Sequence, residues 1–240
     1  MKLLALETAT EACSVAVLVD GEVIERFEIA PRRHTELALP WAEALLAEAG
    51  IAKSQLDAIA VGRGPGAFTG VRLAIALAQG IALALDRPLL PVSTLAALAA
   101  GLPLPRAGER RGEGECILAA IDARMGEIYV ATFDRDGAGV VATSAEVVVA
   151  PANYLLPDGL DWHGVGSGFA AANGVLATRL QPQLASVDAL ALPHAADVAR
   201  LGAMAFARGE GIAPERIEPA YLRNNVALTL VEQRALRASR

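Results

Sequence analysis

The stretch from Gly62 to Asp86, GRGPGAFTGVRLAIALAQGIALALD, constrains the fold more than any other. It opens as a glycine-rich turn after an apolar strand and continues as a helix with almost no polar face. Between Val71 and Leu85 only Arg72 and Gln79 are polar. A helix that is apolar all round is buried on all sides, inside its own domain or against another chain. The run Leu73 to Leu85 is also shorter than the roughly 18–20 residues of a membrane span. The expectation is a core or interface helix, with no membrane.

The elements before it read as three antiparallel strands. Lys2 to Leu6 is a short apolar run, Cys13 to Val19 alternates, and Asp20-Gly21 is a hairpin signal before Glu22 to Ile29. A helix is expected over 35–49, with Thr35 as N-cap, Pro40 near its first turn and Gly50 ending it. Leu56 to Val61 reads as a buried strand, Pro88 to Val92 as a short one, and Ser93 as the cap of a helix reaching about Ala100. The order βββαβαβα builds a mixed sheet, since right-handed crossovers force the βαβ parts parallel.

Residues 101–115, GLPLPRAGERRGEGE, break this pattern and read as a linker. Beyond it the chain mirrors its own beginning. Leu118 to Asp122 matches Leu3 to Glu7, Tyr129 to Asp134 matches Ser14 to Val19, and Asp136-Gly137 stands where Asp20-Gly21 did. Val140 to Val149 supplies a third strand. A strand near Trp162 to Val165 comes next, then a helix from Phe169 to Leu180 and another from His194 to Arg208. The expected organisation is a duplicated α/β chain of two βββαβα halves, 1–103 and 104–216. The segment 217–240 packs back on the first half as a last helix, its arginines at 234, 237 and 240 solvated.

Several chemistries are poorly supplied. A net charge of -6 and 4% aromatic residues argue against autonomous nucleic-acid binding. Cys13 and Cys116 fit no metal or redox spacing and read as buried thiols of a cytoplasmic protein. His34, His163 and His194 have no partner at i+3 or i+4, so no metal site is expected. Gly166-Ser167-Gly168 lacks the flanks of a nucleophile elbow. Gly64, Gly66 and Gly70 are followed by Val71-Arg72 in place of the Lys-Ser/Thr of a P-loop, and they miss the dinucleotide spacing.

Duplicated βββαβα halves are the plan of the actin-like ATPases and sugar kinases, whose first hairpin carries an Asp-x-Gly-Thr-x-x-Ser phosphate loop. Here those positions read Glu7-Thr8-Ala9-Thr10-Glu11-Ala12-Cys13, and Asp122-Ala123-Arg124-Met125-Gly126 stands at the second loop. Glycines that admit phosphate close to the backbone are missing from both. Thr8, Thr10, Asp122, Gly166 and Gly168 remain as a vestigial nucleotide set, with Gly164 beside them. An enzyme reading, a small actin-like ATPase or kinase, rests on them.

Together LETATEACSVAV, RRHTELALP, GRGPGAFTGVRLAIALAQGIALAL, PVSTLAALA, IDARMGEIYVA and PAYLRNNVA resemble the bacterial family of tRNA threonylcarbamoyladenosine biosynthesis protein TsaB, also called YeaZ. The resemblance implies the duplicated actin-like (ASKHA, ribonuclease H-like) fold and kinship with TsaD. TsaD transfers threonylcarbamoyl from threonylcarbamoyl-adenylate to the adenosine beside the tRNA anticodon. Where TsaD carries a metal-binding His-x-x-x-His, this chain reads Pro91-Val92-Ser93-Thr94-Leu95-Ala96-Ala97. The implied role is therefore a non-catalytic subunit that pairs with TsaD, joined by the ATPase TsaE, and forms a homodimer when TsaD is absent. It would meet tRNA only through the complex, with at most weak ATP or ADP binding there. Helices 35–49 and 70–85 would form the contact, with Leu37, Trp41, Leu45, Leu73, Leu77 and Ile81 as apolar contributors. Ala74, Ala78, Gly80 and Ala82 would let the partner helix come close. On this expectation Leu77→Glu abolishes pairing and spares the fold.

Overall fold

The computed structural model describes residues 1–103, 115–157 and 161–223. The first sheet comprises β1 (Lys2–Glu7), β2 (Ala12–Val19), β3 (Glu22–Ile29), β4 (Ala58–Gly62) and β5 (Leu89–Val92), in the order β3-β2-β1-β4-β5. Helices α1 (His34–Glu48) and α2 (Phe68–Leu85) cover one face, and α3 (Thr94–Ala100) follows β5. The second sheet comprises β6 (Cys116–Arg124), β7 (Glu127–Asp136), β8 (Gly139–Ala142), β9 (Val147–Val149), β10 (Trp162–Val165) and β11 (Leu184–Asp188). Its order is β11-β10-β6-β7-β8, with β9 also on β7. Helices α4 (Ala171–Leu180) and α5 (Ala195–Ala207) complete the α-helices among the described residues. In each sheet a three-strand antiparallel meander is extended by two parallel strands beside its first strand, so the duplication legible in the sequence is a duplication of topology.

The layers follow from strands buried on both faces. Leu4 and Leu6 of β1 join Val15, Val17, Ile59 and Val61 beneath α1 and α2, while Leu3 and Ala5 join Ala16, Ala58 and Ala60 beneath α5. That second face is built of small residues, and α5 comes so close that a Cβ on Gly202 would stand 2.7 Å from the Ala60 Cβ. The two halves exchange position here: α5, late in the sequence, lies on the first sheet, and α3, early in the sequence, lies on the second. Leu95 and Leu98 of α3 pack on Ile117, Ala119, Phe133 and Val165, and α4 closes the far side with Leu176 and Leu180.

Several boundaries differ from expectation. Helix α1 begins at His34 after Arg33, without a side-chain cap, so Thr35 lies inside it and Pro40 sits in its interior. His34 fixes the start instead, its Nε2 3.1 and 3.2 Å from the carbonyls of Thr10 and Ala12. The third strand of the second half is broken into β8 and β9. Thr143 N–H still donates to the Thr132 carbonyl at 2.9 Å, but the Thr132 amide donates to Ser144 Oγ at 2.9 Å instead of a strand carbonyl, and Thr143 Oγ1 donates to Thr132 Oγ1 at 2.9 Å. The helix expected from Phe169 has left-handed residues at Ala172, Asn173 and Gly174, and becomes regular only after them. Strand β11 had no legible signal. Most of the linker, 104–114, and residues 224–240 of the last helix expected over 217–240 lie outside the described residues, while 217–223 are not helical.

Helix α2 starts at Phe68, so it has 18 residues and, by length and composition, is apolar enough to cross a membrane. One face is nevertheless committed to the sheet through Gly70, Val71, Ala74, Ile75, Ala78 and Ala82. Cys13 and Cys116 are both buried and neither is in a disulfide, and burial, reinforced by the Glu28 charge, pushes the Cys13 thiol up to about 11.

Candidate functional site

The turn before α2 packs on the β1–β2 turn. Ala67 N–H donates to the Ala9 carbonyl at 2.7 Å, and Thr8 Oγ1 donates to the Gly70 carbonyl at 2.7 Å. A Cβ on Gly66 would meet Ala9 O at 2.4 Å, and one on Gly70 would meet Thr8 O at 1.9 Å. These two glycines are therefore required by backbone contact between loops. Beneath them Glu7 is wholly buried. Its Oε1 accepts the Ala9 amide at 2.7 Å, and its Oε2 accepts the Thr94 hydroxyl at 3.0 Å. Burial raises the Glu7 carboxyl from 4.5 to about 7, against the lowering effect of those hydrogen bonds.

Between the halves lies a cleft of about 530 Å³. Thr10, Phe68, Arg72, Asp122, Ser167 and Tyr221 are among its walls. Thr10 and Asp122 of the vestigial set thus face a common space, while Thr8 is packed under Gly70. Gly166 and Gly168 sit against Ala120, their added Cβ atoms 2.3 Å from its carbonyl oxygen and 2.6 Å from its Cβ; Gly164 meets the Phe169 ring.

An actin-like fold implies a nucleotide in such a cleft, and the loop donors do not suit one. The Thr8 hydroxyl and the Ala9 amide are spent on Gly70 and Glu7, and the Ala12 amide donates to Thr10 Oγ1 at 3.3 Å. At the second loop the Asp122 amide donates to Ser167 Oγ at 3.1 Å. The Arg124 amide and guanidinium donate to the Asp122 carboxylate at 2.8 and 2.9 Å. Both turns satisfy themselves, leaving little to cradle a phosphate. No group of three or more His, Cys, Asp or Glu side chains suited to a metal occurs among the described residues. At the place compared with TsaD's histidines, Ser93 caps α3 and Thr94 holds Glu7.

A serine, a histidine and a carboxylate do meet elsewhere. Ser14 Oγ donates to Glu25 Oε1 at 2.6 Å, His194 Nδ1 lies 3.0 Å from Glu25 Oε2, and the Ala195 and Ala196 amides donate to Ser14 Oγ and Glu25 Oε1. The carboxylate stands between the other two, and Ser14 is wholly buried, so this is no nucleophile–base pair. It is the cap of α5, supplied by the first sheet across the chain. The Glu25 hydrogen bond and charge raise His194 above its ordinary 6.5 against partial burial. For Glu25, burial pushes upward, but hydrogen bonds from His194, Ser14 and Ala196 together bring it below 4.5. The His194 contribution is thus full below 6.5 and fades as pH rises through its folded pKa. The Glu25 contribution is full above 4.5 and fades as pH falls through its own. His194→Ala should cost about 1 kcal/mol near pH 6, since the pair is part-exposed, and less at pH 8. Urea unfolding of both chains at the two pH values checks this; an equal cost at both would remove the charge from the latch.

The six residues named for partner contact divide. Leu45 is 1% exposed and belongs to the core under α1, which corrects its assignment to a surface. Leu37, Trp41, Leu77 and Ile81 are half-buried against that same core, and Leu73 is half-buried. The outward stripe of α2 is Arg72, Ala76, Gly80, Leu83 and Ala84, and that of α1 includes Leu39, Pro40, Glu43 and Ala47. Most of the positions that sequence periodicity named therefore lie on the inner shoulders of these two helices. Also unforeseen were buried Glu7, the Glu25 latch and the Arg72–Tyr221 contact, none of which has a spacing signal.

The family model described as TsaD, tRNA N6-adenosine threonylcarbamoyltransferase, matches residues 26–230. The Escherichia coli tRNA threonylcarbamoyladenosine biosynthesis protein TsaB is 40% identical over 95% of this chain and 96% of its own length. A tRNA N6-adenosine threonylcarbamoyltransferase of Nitratidesulfovibrio vulgaris is 36% identical, over 42% of this chain and 33% of its own. The solved structure of YeaZ from Pseudomonas aeruginosa superposes with a TM-score of 0.79 at 43% identity, over 92% of this chain and 99% of that one. With 40% identity to a TsaB over nearly the full length of both chains, the YeaZ architecture and a TsaD-type domain running through both sheets, this chain belongs to the TsaB (YeaZ) family.

Proposed function

We propose that this chain is a non-catalytic scaffold subunit of the machinery that forms threonylcarbamoyladenosine beside the tRNA anticodon, acting by pairing with TsaD through α1 and α2. The observation that carries the reading is the outer face of α2. Leu83 is 62% exposed there, and a Cβ on Gly80 would meet nothing within 4 Å. A glycine inside a helix costs about 1 kcal/mol relative to alanine, and no contact among the described residues requires it. A second helix brought close across Ala76, Gly80 and Ala84 supplies the reason. TsaE joins the pair, tRNA is met through the assembly, and without TsaD the same face forms a homodimer.

The purified chain should transfer nothing alone, and addition of TsaD and TsaE with threonylcarbamoyl-adenylate should give modified tRNA. Transfer by the isolated chain would sink the scaffold reading. The alternative, an ATPase or kinase, is weakened by phosphate loops whose donors are spent internally. Calorimetry with ATP and magnesium separates the two: weak or absent binding without turnover is expected, and tight binding with hydrolysis would favour the enzyme.

A further inference from the structure

The outward stripe of α2 does not stop at the first turn of the helix. From the middle of α2 the C-terminal segment runs back along it. Gln79 Nε2 donates to the Pro214 carbonyl at 2.9 Å, Ile217 enters the core, and Ala220 N–H donates to the Arg63 carbonyl at 2.9 Å. Tyr221 then meets Arg72, whose Nε and Nη2 donate to its hydroxyl at 2.9 and 2.6 Å. The guanidinium lies 3.5 Å above the Phe68 ring and 5.4 Å from the Tyr221 ring. Both aromatics stay open to solvent, Phe68 at 63% and Tyr221 at 56%. Beyond them Arg223 crosses the cleft to the β6–β7 turn, donating to the Ala123 carbonyl at 3.3 Å and to the Glu127 carboxylate. Three stretches far apart in sequence, GPGAFTGVR, DARMGEIY and PAYLR, meet in this one place.

We propose that Phe68, Arg72 and Tyr221 form a single docking site continuous with the α2 face, taking a partner element that presents a carboxylate beside an apolar side chain. The Arg223–Glu127 pair acts as a positioning pair, holding Tyr221 in that site from the other half of the chain. This rests on the scaffold reading of α2. No carboxylate among the described residues pairs with Arg72, and its Nη1 donates to none of them. Two hydrogen bonds to a neutral phenol leave its charge uncompensated and the outer edge of the guanidinium free for a bidentate acceptor. Exposed aromatic rings on either side cost free energy in water, and Arg with aromatic residues is the composition of interface hot spots. Anchoring the segment needs only the hydroxyl and the arginine; it gives no reason for an open Phe68 ring.

The test measures affinity for TsaD by calorimetry at several salt concentrations, with hydrogen exchange of residues 219–223 followed in the free chain. Phe68→Ser and Tyr221→Ala should each weaken pairing about tenfold or more. Arg72→Gln should weaken it and also flatten its salt dependence, which a purely structural role would not do. Glu127→Gln, remote from α2, should weaken pairing severalfold and speed exchange at 219–223, and Glu127→Asp should restore both. If the wild-type chain pairs and Phe68→Ser and Tyr221→Ala pair equally well, the docking site is wrong while the scaffold reading stands. If Glu127→Gln speeds exchange without changing affinity, the positioning role is wrong. If the wild-type chain does not pair at all, the scaffold reading fails and the site with it.

Discussion

Leu83→Glu is expected to leave the chain folded and to remove its pairing with TsaD. Leu83 is 62% exposed on the outward stripe of α2, and surface substitutions in such places change stability by about 0.5 kcal/mol or less. In a helix–helix contact the same carboxylate would be buried without a partner, at roughly 3 kcal/mol or more, which is over a hundredfold in affinity. Gly80 gives the complementary result. Gly80→Ala should stabilise the free chain by about 1 kcal/mol, because its new Cβ has none of the described residues within 4 Å. Gly80→Leu should fold as well and fail to pair, since it occupies the space a second helix backbone would use. Stability and pairing then move in opposite directions, which no defect of folding can imitate. Leu77→Glu is a poorer probe than sequence suggested, because Leu77 packs partly on the core and its loss mixes the two effects. Circular dichroism melts and light scattering with TsaD provide both readouts. Wild-type pairing by Leu83→Glu would take this face out of the interface.

The strands and the duplication were legible because they rest on local signals. Alternation in β2, Asp-Gly turns after β2 and β7, and the capping serine before α3 each act within a few residues. The helix starts were less legible where a distant group fixes them. His34 anchors α1 through carbonyls on the β1–β2 turn, and Glu25 of β3 caps α5, 171 positions later at Ala196. Neither leaves a capping pattern in sequence. The exchange of α3 and α5 between sheets is of the same kind, decided by the small-residue face of the first sheet and not by the order of elements. At the site, composition identified the loops that have lost glycine. It did not reveal that their freed donors had found partners inside the chain. Glycines 66 and 70 read as tightness in the sequence; only the facing carbonyls of Ala9 and Thr8 say what they are tight against.

Glu7→Gln is expected to raise stability at pH 8 by up to roughly 3 kcal/mol and to remove much of the pH dependence between pH 5 and 8. Burial holds the Glu7 carboxyl at about 7 instead of 4.5. A carboxyl with a raised folded pKa binds its proton more tightly in the folded chain than in the unfolded one. Its contribution is therefore most favourable below 4.5 and is lost as pH rises through about 7. At about 1.4 kcal/mol per pH unit, that gap sets the size of the expected gain. The carboxylate cannot relieve itself by moving toward water, because a Cβ placed on Gly62 would stand only 2.0 Å from its Oε2, so β4 closes that side. Glutamine can keep both bonds, its Oε1 accepting the Ala9 amide and its NH₂ donating to Thr94 Oγ1, while carrying no charge. Urea unfolding of both chains from pH 5 to 8 isolates the effect as a difference, since the Glu25–His194 latch titrates equally in each. Parallel curves would show that Glu7 is ionised in the folded chain and that the buried turn tolerates its charge. A gap opening as pH rises would instead mean that the β1–β2 turn, which an actin-like relative devotes to phosphate, here encloses a proton.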